Sequence, residues 1–288
     1  MKKFTVTDLK KIWQPKNDSN GEDNGQVTII GGSKLFHGAP ILAMKAASRT
    51  TDMVFFTSPE ASLEETTTQI KAQLNSFIWV PWAEADEYIK KSEAVLIGPG
   101  LMRFHSEKVE AEKRYMECDE VCQETTKITR GVLYKFPEKK WVIDGGSLQV
   151  MEADWIPRRA IVTPNIHEFR MLFGVDIDTE ITPELVEEKA KKYACVVVYK
   201  GPVSYVSNGE TTYEVEGGNA GLTKGGTGDT LAGLTVGLLA KNEPLLAAAA
   251  ASLVIKKTAE YLYEKVGYNF NADDVSENCF EVMRRLLD

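Results

Sequence analysis

The chain reads as an α/β protein, with a mostly parallel sheet held between two helical layers and a small antiparallel ribbon following residue 200. Three observations carry this reading. Short runs rich in β-branched residues alternate with longer stretches of helical pattern. Most of those runs are continuously apolar rather than alternating, so both faces of the sheet must be covered. One Asn-Gly pair, Asn208-Gly209, stands between two alternating runs, which is hairpin chemistry. With 288 residues, 43% of them hydrophobic, there is enough apolar material for a large core. The absence of a composition break, a Pro/Ser-rich linker or an internal repeat makes a single domain over residues 1–288 the expectation.

The parallel strands are expected at 26–30, 53–57, 94–97, 141–144, 160–163 and 195–200. Residues 204–207 and 211–215 flank Asn208-Gly209 and form the ribbon. Only helices follow, at about 229–239, 245–265 and 272–287, the middle one holding the alanine run Ala247 to Ala251, which suits close helix packing.

Net charge is −8 and the pI about 5.2, with Lys and Arg scattered rather than gathered on one face, a surface that would repel a nucleic-acid backbone. Met1-Lys2-Lys3-Phe4 turns polar at Thr7-Asp8, so no apolar signal core follows the lysines, and the longest mostly apolar stretch, 245–255, is too short to span a membrane. The expectation is a cytoplasmic protein without membrane or nucleic-acid partners. Cys118 and Cys122 are one helical turn apart, but no second pair completes a metal site; neither zinc nor a disulfide scaffold is expected, and Cys195 reads as buried packing.

In open parallel sheets, ligands sit beyond the carboxyl ends of the strands. There the chain places Gly31-Gly32-Ser33, Gly98-Pro99-Gly100, Asp144-Gly145-Gly146, Thr163-Pro164-Asn165 and Lys200-Gly201-Pro202 in turn. One glycine pair is a tight turn; several on one rim suggest close approach of backbone to a ligand.

The segment richest in chemistry is Lys224-Gly225-Gly226-Thr227-Gly228-Asp229, immediately before a helix. Free N–H groups and the positive end of the helix dipole converge there on an anion, as a transferring phosphoryl group requires. Asp229 stands beside that hole; since phosphate repels a carboxylate, its role is to take a proton from an attacking hydroxyl, the plain alternative being a helix cap. Lys200 is placed to meet phosphates or to be an ordinary solvated lysine. Asn165 and Glu168 have capping-box spacing. His37, His105 and His167 lie far apart and are read as surface or packing residues. There is neither a P-loop nor a dinucleotide fingerprint after the first strand.

Gly225-Gly226-Thr227-Gly228-Asp229 with Leu231-Ala232-Gly233 resembles the anion-hole motif of ribokinase-like proteins. Together with Gly31-Gly32-Ser33, Gly38-Ala39-Pro40, Gly98-Pro99-Gly100, Thr163-Pro164-Asn165, Glu168-Phe169 and Lys200-Gly201, nearly the whole chain is similar to the ADP/ATP-dependent NAD(P)H-hydrate dehydratases. The resemblance implies a ribokinase-like three-layer α/β/α sandwich. It also implies a nicotinamide-repair reaction that dehydrates the (S)-hydrate of NADH or NADPH with ADP or ATP, through phosphorylation of the ring hydroxyl and loss of phosphate. Carried over by position, Ala39, Gly100, Asn165 and Asp229 would contact the hydrate. Lys200, Gly201, Pro202, Val203, Ser204 and Gly228 would contact the adenine nucleotide. Gly225, Gly226, Thr227 and Gly228 would form the anion hole, and Asp229 would be the base.

Mg2+ would travel with the nucleotide and have no protein cage. A homo-oligomer, tetramer or dimer, is implied, as is an absent epimerase domain, since about 25 residues precede the first strand. Any epimerase would be a separate protein. The chain departs from many relatives at Gly146, where a second acidic residue is common, at Asn165, often histidine, and at Met102, often glycine. The same glycine turn would also serve a hydroxyethylthiazole or hydroxymethylpyrimidine kinase. A nucleotide sensor without turnover is the reading from another class, and it leaves Asp229 without a use.

Overall fold

The computed structural model describes residues 1–70, 74–103, 118 and 120–288. Ten strands form one sheet: β1 (Lys2–Lys3), β2 (Gln26–Ile30), β3 (Met53–Thr57), β4 (Ile78–Trp79), β5 (Ala94–Ile97), β6 (Lys140–Ile143), β7 (Ile161–Val162), β8 (Val196–Tyr199), β9 (Ser204–Ser207) and β10 (Thr212–Val215). Their order is β1-β10-β9-β8-β7-β6-β5-β2-β3-β4. β9 runs antiparallel to β8 and to β10; all the other pairs are parallel.

Continuous apolarity has the predicted cause. Along β5, Ala94 and Leu96 join one core while Val95 and Ile97 join the other; Val196 and Val198 of β8 likewise oppose Val197 and Tyr199. On one face lie α2 (Gly38–Ala47), α9 (Thr227–Leu239), α10 (Pro244–Val266) and α11 (Ala272–Leu287), and with them α1 (Val6–Leu9). On the other lie α4 (Ala85–Lys91), α5 (Glu120–Lys135), α6 (Gly145–Val150), α7 (Ile166–Phe173) and α8 (Pro183–Lys192). The remaining helix, α3 (Leu63–Ile70), follows β3 and contributes Leu63 to the first core. The result is the ribokinase-like three-layer sandwich.

Ala247 to Ala251 are fully buried, as close packing demands. The seam between α2 and α9 is tighter still: a Cβ on Gly233 would stand 2.2 Å from the Ala43 carbonyl oxygen, and one on Gly237 2.1 Å from Thr50 Oγ1. No helix among the described residues is long and apolar enough to cross a membrane.

Several expectations need correction. The ribbon turn is longer than a two-residue hairpin: only Gly209 takes a positive φ, +83°, while the Asn208 side chain accepts from the Glu210 and Thr211 amides at 3.0 and 2.8 Å. Two short edge strands, β1 and β4, carry too few residues to show a period. Cys118 and Cys122 are joined in a disulfide, with Cα atoms 5.3 Å apart, where none was expected. Cys195 is buried as expected, and burial pushes its thiol up to about 12. His105 lies outside the described residues.

Candidate active site

The carboxyl ends of the strands open into one continuous cavity of about 900 Å³. Its lining includes Phe36, Ala39, Gly100, Arg103, Gly146 and Asn165, and also Gly201, Pro202, Ser204, Gly217, Leu222 and Ile255; the start of α9 with Asp229 borders the same space.

The turn before α9 is built by its sequence. Gly226 is the N-cap, in the left-handed region at φ +94°, and a Cβ there would stand 2.5 Å from Leu42 Cδ1 and 2.8 Å from Ala272 Cβ. Thr227 Oγ1 lies 2.8 Å from the Leu222 carbonyl oxygen and 2.9 Å from that of Lys224, so its hydroxyl pins the loop. Lys224 Nζ donates to the carbonyls of Tyr268 and Phe270. The first i→i−4 bond to the cap is Thr230 N–H to Gly226 O, 3.0 Å. The preceding amides of Gly228 and Asp229 are therefore helix-start donors with no i→i−4 partner. Replacing Gly226 by alanine should cost about 1–2 kcal/mol in left-handed strain alone, with the overlap adding to it. We expect melting some degrees below the parent and a weakened turn; a Gly226→Ala protein matching the parent in melting temperature and turnover would show that the turn does not need glycine. Gly225 has open space around its Cβ position and carries no such restriction.

Asp229 is the third residue of α9, in its first turn. Burial, then the neighbouring Asp144 charge, push its carboxyl up; Lys200 pulls it down, Glu168 pushes it up, and the result is about 7. Lys200 is no solvated lysine. Its Nζ lies 2.9 Å from Asp144 Oδ1 and 3.5 Å from Glu168 Oε2, with only 20% of its side chain exposed. Burial alone would lower its pKa, but Asp144, Glu168 and Asp229 together raise it. A Cβ on Gly228 would stand 3.4 Å from that ammonium, so Lys200 sits beneath the turn.

Asp144 is the N-cap of α6, is 2% exposed, and accepts a 2.6 Å bond from Thr163 Oγ1. Asn165 and Glu168 form the expected capping box on α7: Asn165 Oδ1 accepts from the His167 and Glu168 amides at 2.9 and 3.0 Å, and Glu168 Oε2 accepts from Asn165 N at 2.9 Å. Glu168 also accepts from Gln149 Nε2 at 3.2 Å. A bridge between Asn165 and Lys200 sets these two strand ends side by side. The floor is thus one ammonium among three carboxyls.

Of the sequence-predicted site residues, Ala39, Gly100, Asn165, Lys200, Gly201, Pro202, Ser204, Gly225, Gly226, Thr227, Gly228 and Asp229 border the cavity; Val203 does not. The Gly31-Gly32 pair serves packing instead: a Cβ on Gly31 would meet the Pro99 carbonyl oxygen at 2.3 Å, and one on Gly32 would meet Leu63 Cδ1 at 2.4 Å. His37 and His167 are off the cavity. Sequence reasoning missed Gln149, Leu222, Ser252 and Lys256 as cavity residues, and gave Asp144 and Glu168 no chemical role. Ser252 Oγ is buried with no hydrogen-bond partner.

Residues 27–280 match the protein family described as NAD(P)H-hydrate dehydratase. The chain is 30% identical to the ADP-dependent (S)-NAD(P)H-hydrate dehydratase of Nitrosopumilus maritimus, covering 98% of this chain and 97% of that protein. It is 32% identical to the bifunctional NAD(P)H-hydrate repair enzyme of Hyperthermus butylicus over 92% of this chain, spanning 49% of that longer protein. Among solved structures, a hypothetical protein from Streptococcus mutans superposes with a TM-score of 0.80 at 24% identity, covering 99% of this chain and 100% of that one. The ADP/ATP-dependent NAD(P)H-hydrate dehydratase of Bacillus subtilis, co-crystallised with ATP and Mg2+, superposes at 0.78 and 21% identity, covering 99% and 98%.

Proposed function

The chain belongs to the NAD(P)H-hydrate dehydratase family, and on that premise we propose that this cavity returns the (S)-hydrate of NADH or NADPH to the working dinucleotide at the expense of ADP or ATP. The observation that carries the reading is Asp229: a carboxyl held near neutrality, with a pKa of about 7, beside helix-start amides on a cavity large enough for two ligands.

In this mechanism the ring hydroxyl of the hydrate attacks the terminal phosphorus of the nucleotide, and Asp229 takes the hydroxyl proton as the new O–P bond forms and the bond to the nucleotide breaks. The amides of the 225–228 turn hold the charge that develops on the phosphoryl oxygens. The ring-nitrogen lone pair then expels phosphate by breaking the C–O bond, and loss of a proton from the adjacent carbon restores the dihydronicotinamide. Ala39, Gly100 and Asn165 would meet the hydrate, while Gly201, Pro202 and Ser204 would meet the nucleotide, all of them lining the one cavity.

No cluster of three potential metal ligands exists among the described residues, and the Asp144 and Glu168 carboxyls are committed to Lys200, Thr163 and Gln149. This donor set fits Mg2+ carried on the nucleotide phosphates, where it would neutralise their charge. Assembly as a dimer or tetramer goes with the reading by family likeness, and sedimentation in solution tests it.

The deciding assay incubates the protein with hydrated NADH and either donor. The near-ultraviolet absorbance of dihydronicotinamide should return, with one phosphate released per molecule repaired. A phosphorylated product with no recovery of absorbance would make the protein a kinase of the same fold, and no turnover with either donor would make it a binding protein.

A further inference from the structure

The mechanism leaves one buried cation unused. Lys256 lies on α10, is 5% exposed, and forms no ion pair; its Nζ donates instead to three main-chain carbonyls, those of Gly201 at 3.1 Å, Pro202 at 2.7 Å and Gly217 at 3.1 Å. An ammonium has three donors, so all are spent on backbone. The carbonyls belong to two separate loops, the one after β8 and the one after β10, and both line the cavity at the end where the proposed function puts the nucleotide.

The rest of the neighbourhood fastens the second loop to the same helix. Gly217 and Gly218 take positive φ values of +97° and +79°; a Cβ on Gly218 would stand 3.2 Å from Lys256 Cγ, and one on Gly217 2.3 Å from Glu260 Oε1. Glu260, one turn beyond Lys256, accepts from the Gly218 amide at 3.0 Å, and Asn219 Nδ2 donates to the Ala259 carbonyl at 2.7 Å. For the loop after β8, Lys256 supplies the tie to α10. Within that loop Gly201 has no side chain and Pro202 is exposed.

We propose that Lys256 is a positioning residue for the phosphate donor, its ammonium joining the Gly201-Pro202 loop to the Gly217-Gly218 loop and fixing the separation that the nucleotide must enter. The inference rests on the reading of that end as the nucleotide site. A neutral amine keeps only two of the three donors and loses the charge that strengthens each bond. The cage contains no carboxylate: the facing loops present only carbonyls, and the one charged group that influences Lys256 is Glu260 on its own helix, itself held by Lys257 Nζ at 2.8 Å. Burial therefore pulls the ammonium down to about 8, Glu260 offsetting this only in part.

The test is steady-state kinetics with hydrated NADH and whichever donor supports turnover, from pH 7 to pH 9.5. In the parent, KM for the donor should climb above about pH 8 while KM for the hydrate stays level. Lys256→Met should raise the donor KM by roughly tenfold or more at pH 7, with kcat at saturating donor and the hydrate KM within about twofold. Lys256→Arg, charged throughout, should flatten the pH dependence. A donor KM in Lys256→Met equal to that of the parent, or a matching rise in both KM values, would overturn the proposal; so would a parent donor KM that stays flat to pH 9.5, a measurement that needs no variant to fold. A parent that turns over with neither donor would instead sink the family activity itself, in an assay that does not involve Lys256.

Discussion

Replacing Asp229 by asparagine is expected to lower turnover about 100-fold or more while leaving nucleotide affinity in place, because the change removes a proton acceptor and almost no volume. Equal turnover in the two proteins would end the assignment of Asp229 as base. The parent's kcat/KM should rise with pH through about 7, following ionisation of this carboxyl. The same substitution should stabilise the fold, and linkage fixes the sign. A carboxyl whose folded pKa is raised from 3.8 to about 7 binds its proton more tightly when folded, so its ionised form costs stability at every pH above the unfolded value. Asparagine removes that cost. Melting of Asp229→Asn should therefore exceed that of the parent at pH 8, and the advantage should shrink as pH falls from 7 towards 4. An advantage of constant size across that range would mean that burial of the charge is not its source.

Replacing Lys200 by methionine is expected to have the largest effect on stability. It strips the shared cation from Asp144, which is 2% exposed, and from Glu168, 5% exposed. Breaking a buried ion pair from one side costs about 3–5 kcal/mol, and the partial exposure of Lys200 places the expectation near the lower figure. The pKa of Lys200 is raised in the fold, so its contribution is fully present below the ordinary lysine value of 10.5 and fades only as pH climbs through the higher folded value; denaturation at pH 7 measures all of it. Lys200 also draws the Asp229 pKa down. Any remaining activity should rise with pH only above the parent's threshold, a displacement that mere loosening of the fold would not produce. A denaturation midpoint unchanged from the parent, or an unmoved pH threshold, would show that Lys200 is not the hub of this cluster.

The architecture was legible because the strands that matter are apolar on both sides: Ala94 to Ile97 and Val196 to Tyr199 admit no reading with a wet face. The segment from Lys224 to Asp229 was legible because glycine, threonine and an acid directly before a helix leave few other uses. What stayed hidden was pairing across the fold. Glu168 reads correctly as the end of a capping box, and that sufficient explanation conceals its second role beside Lys200. Lys256 follows an alanine-rich run and resembles any helix-surface lysine; only the return of two distant loops onto α10 reveals its cage. Ser252 carries no signal at all within a helix. Gly31-Gly32 erred in the opposite direction, since a glycine pair at a strand end looks the same whether a ligand or Pro99 approaches it.

The contact of Gly233 with the Ala43 carbonyl reaches further than packing. α2 carries Ala39 in its first turn and α9 carries Asp229 in its first turn, so two helices that border the same cavity are welded along a line too narrow for a single added methyl. Ala39 and Asp229 are therefore carried as one piece, their spacing decided in the dry seam one helical turn behind them.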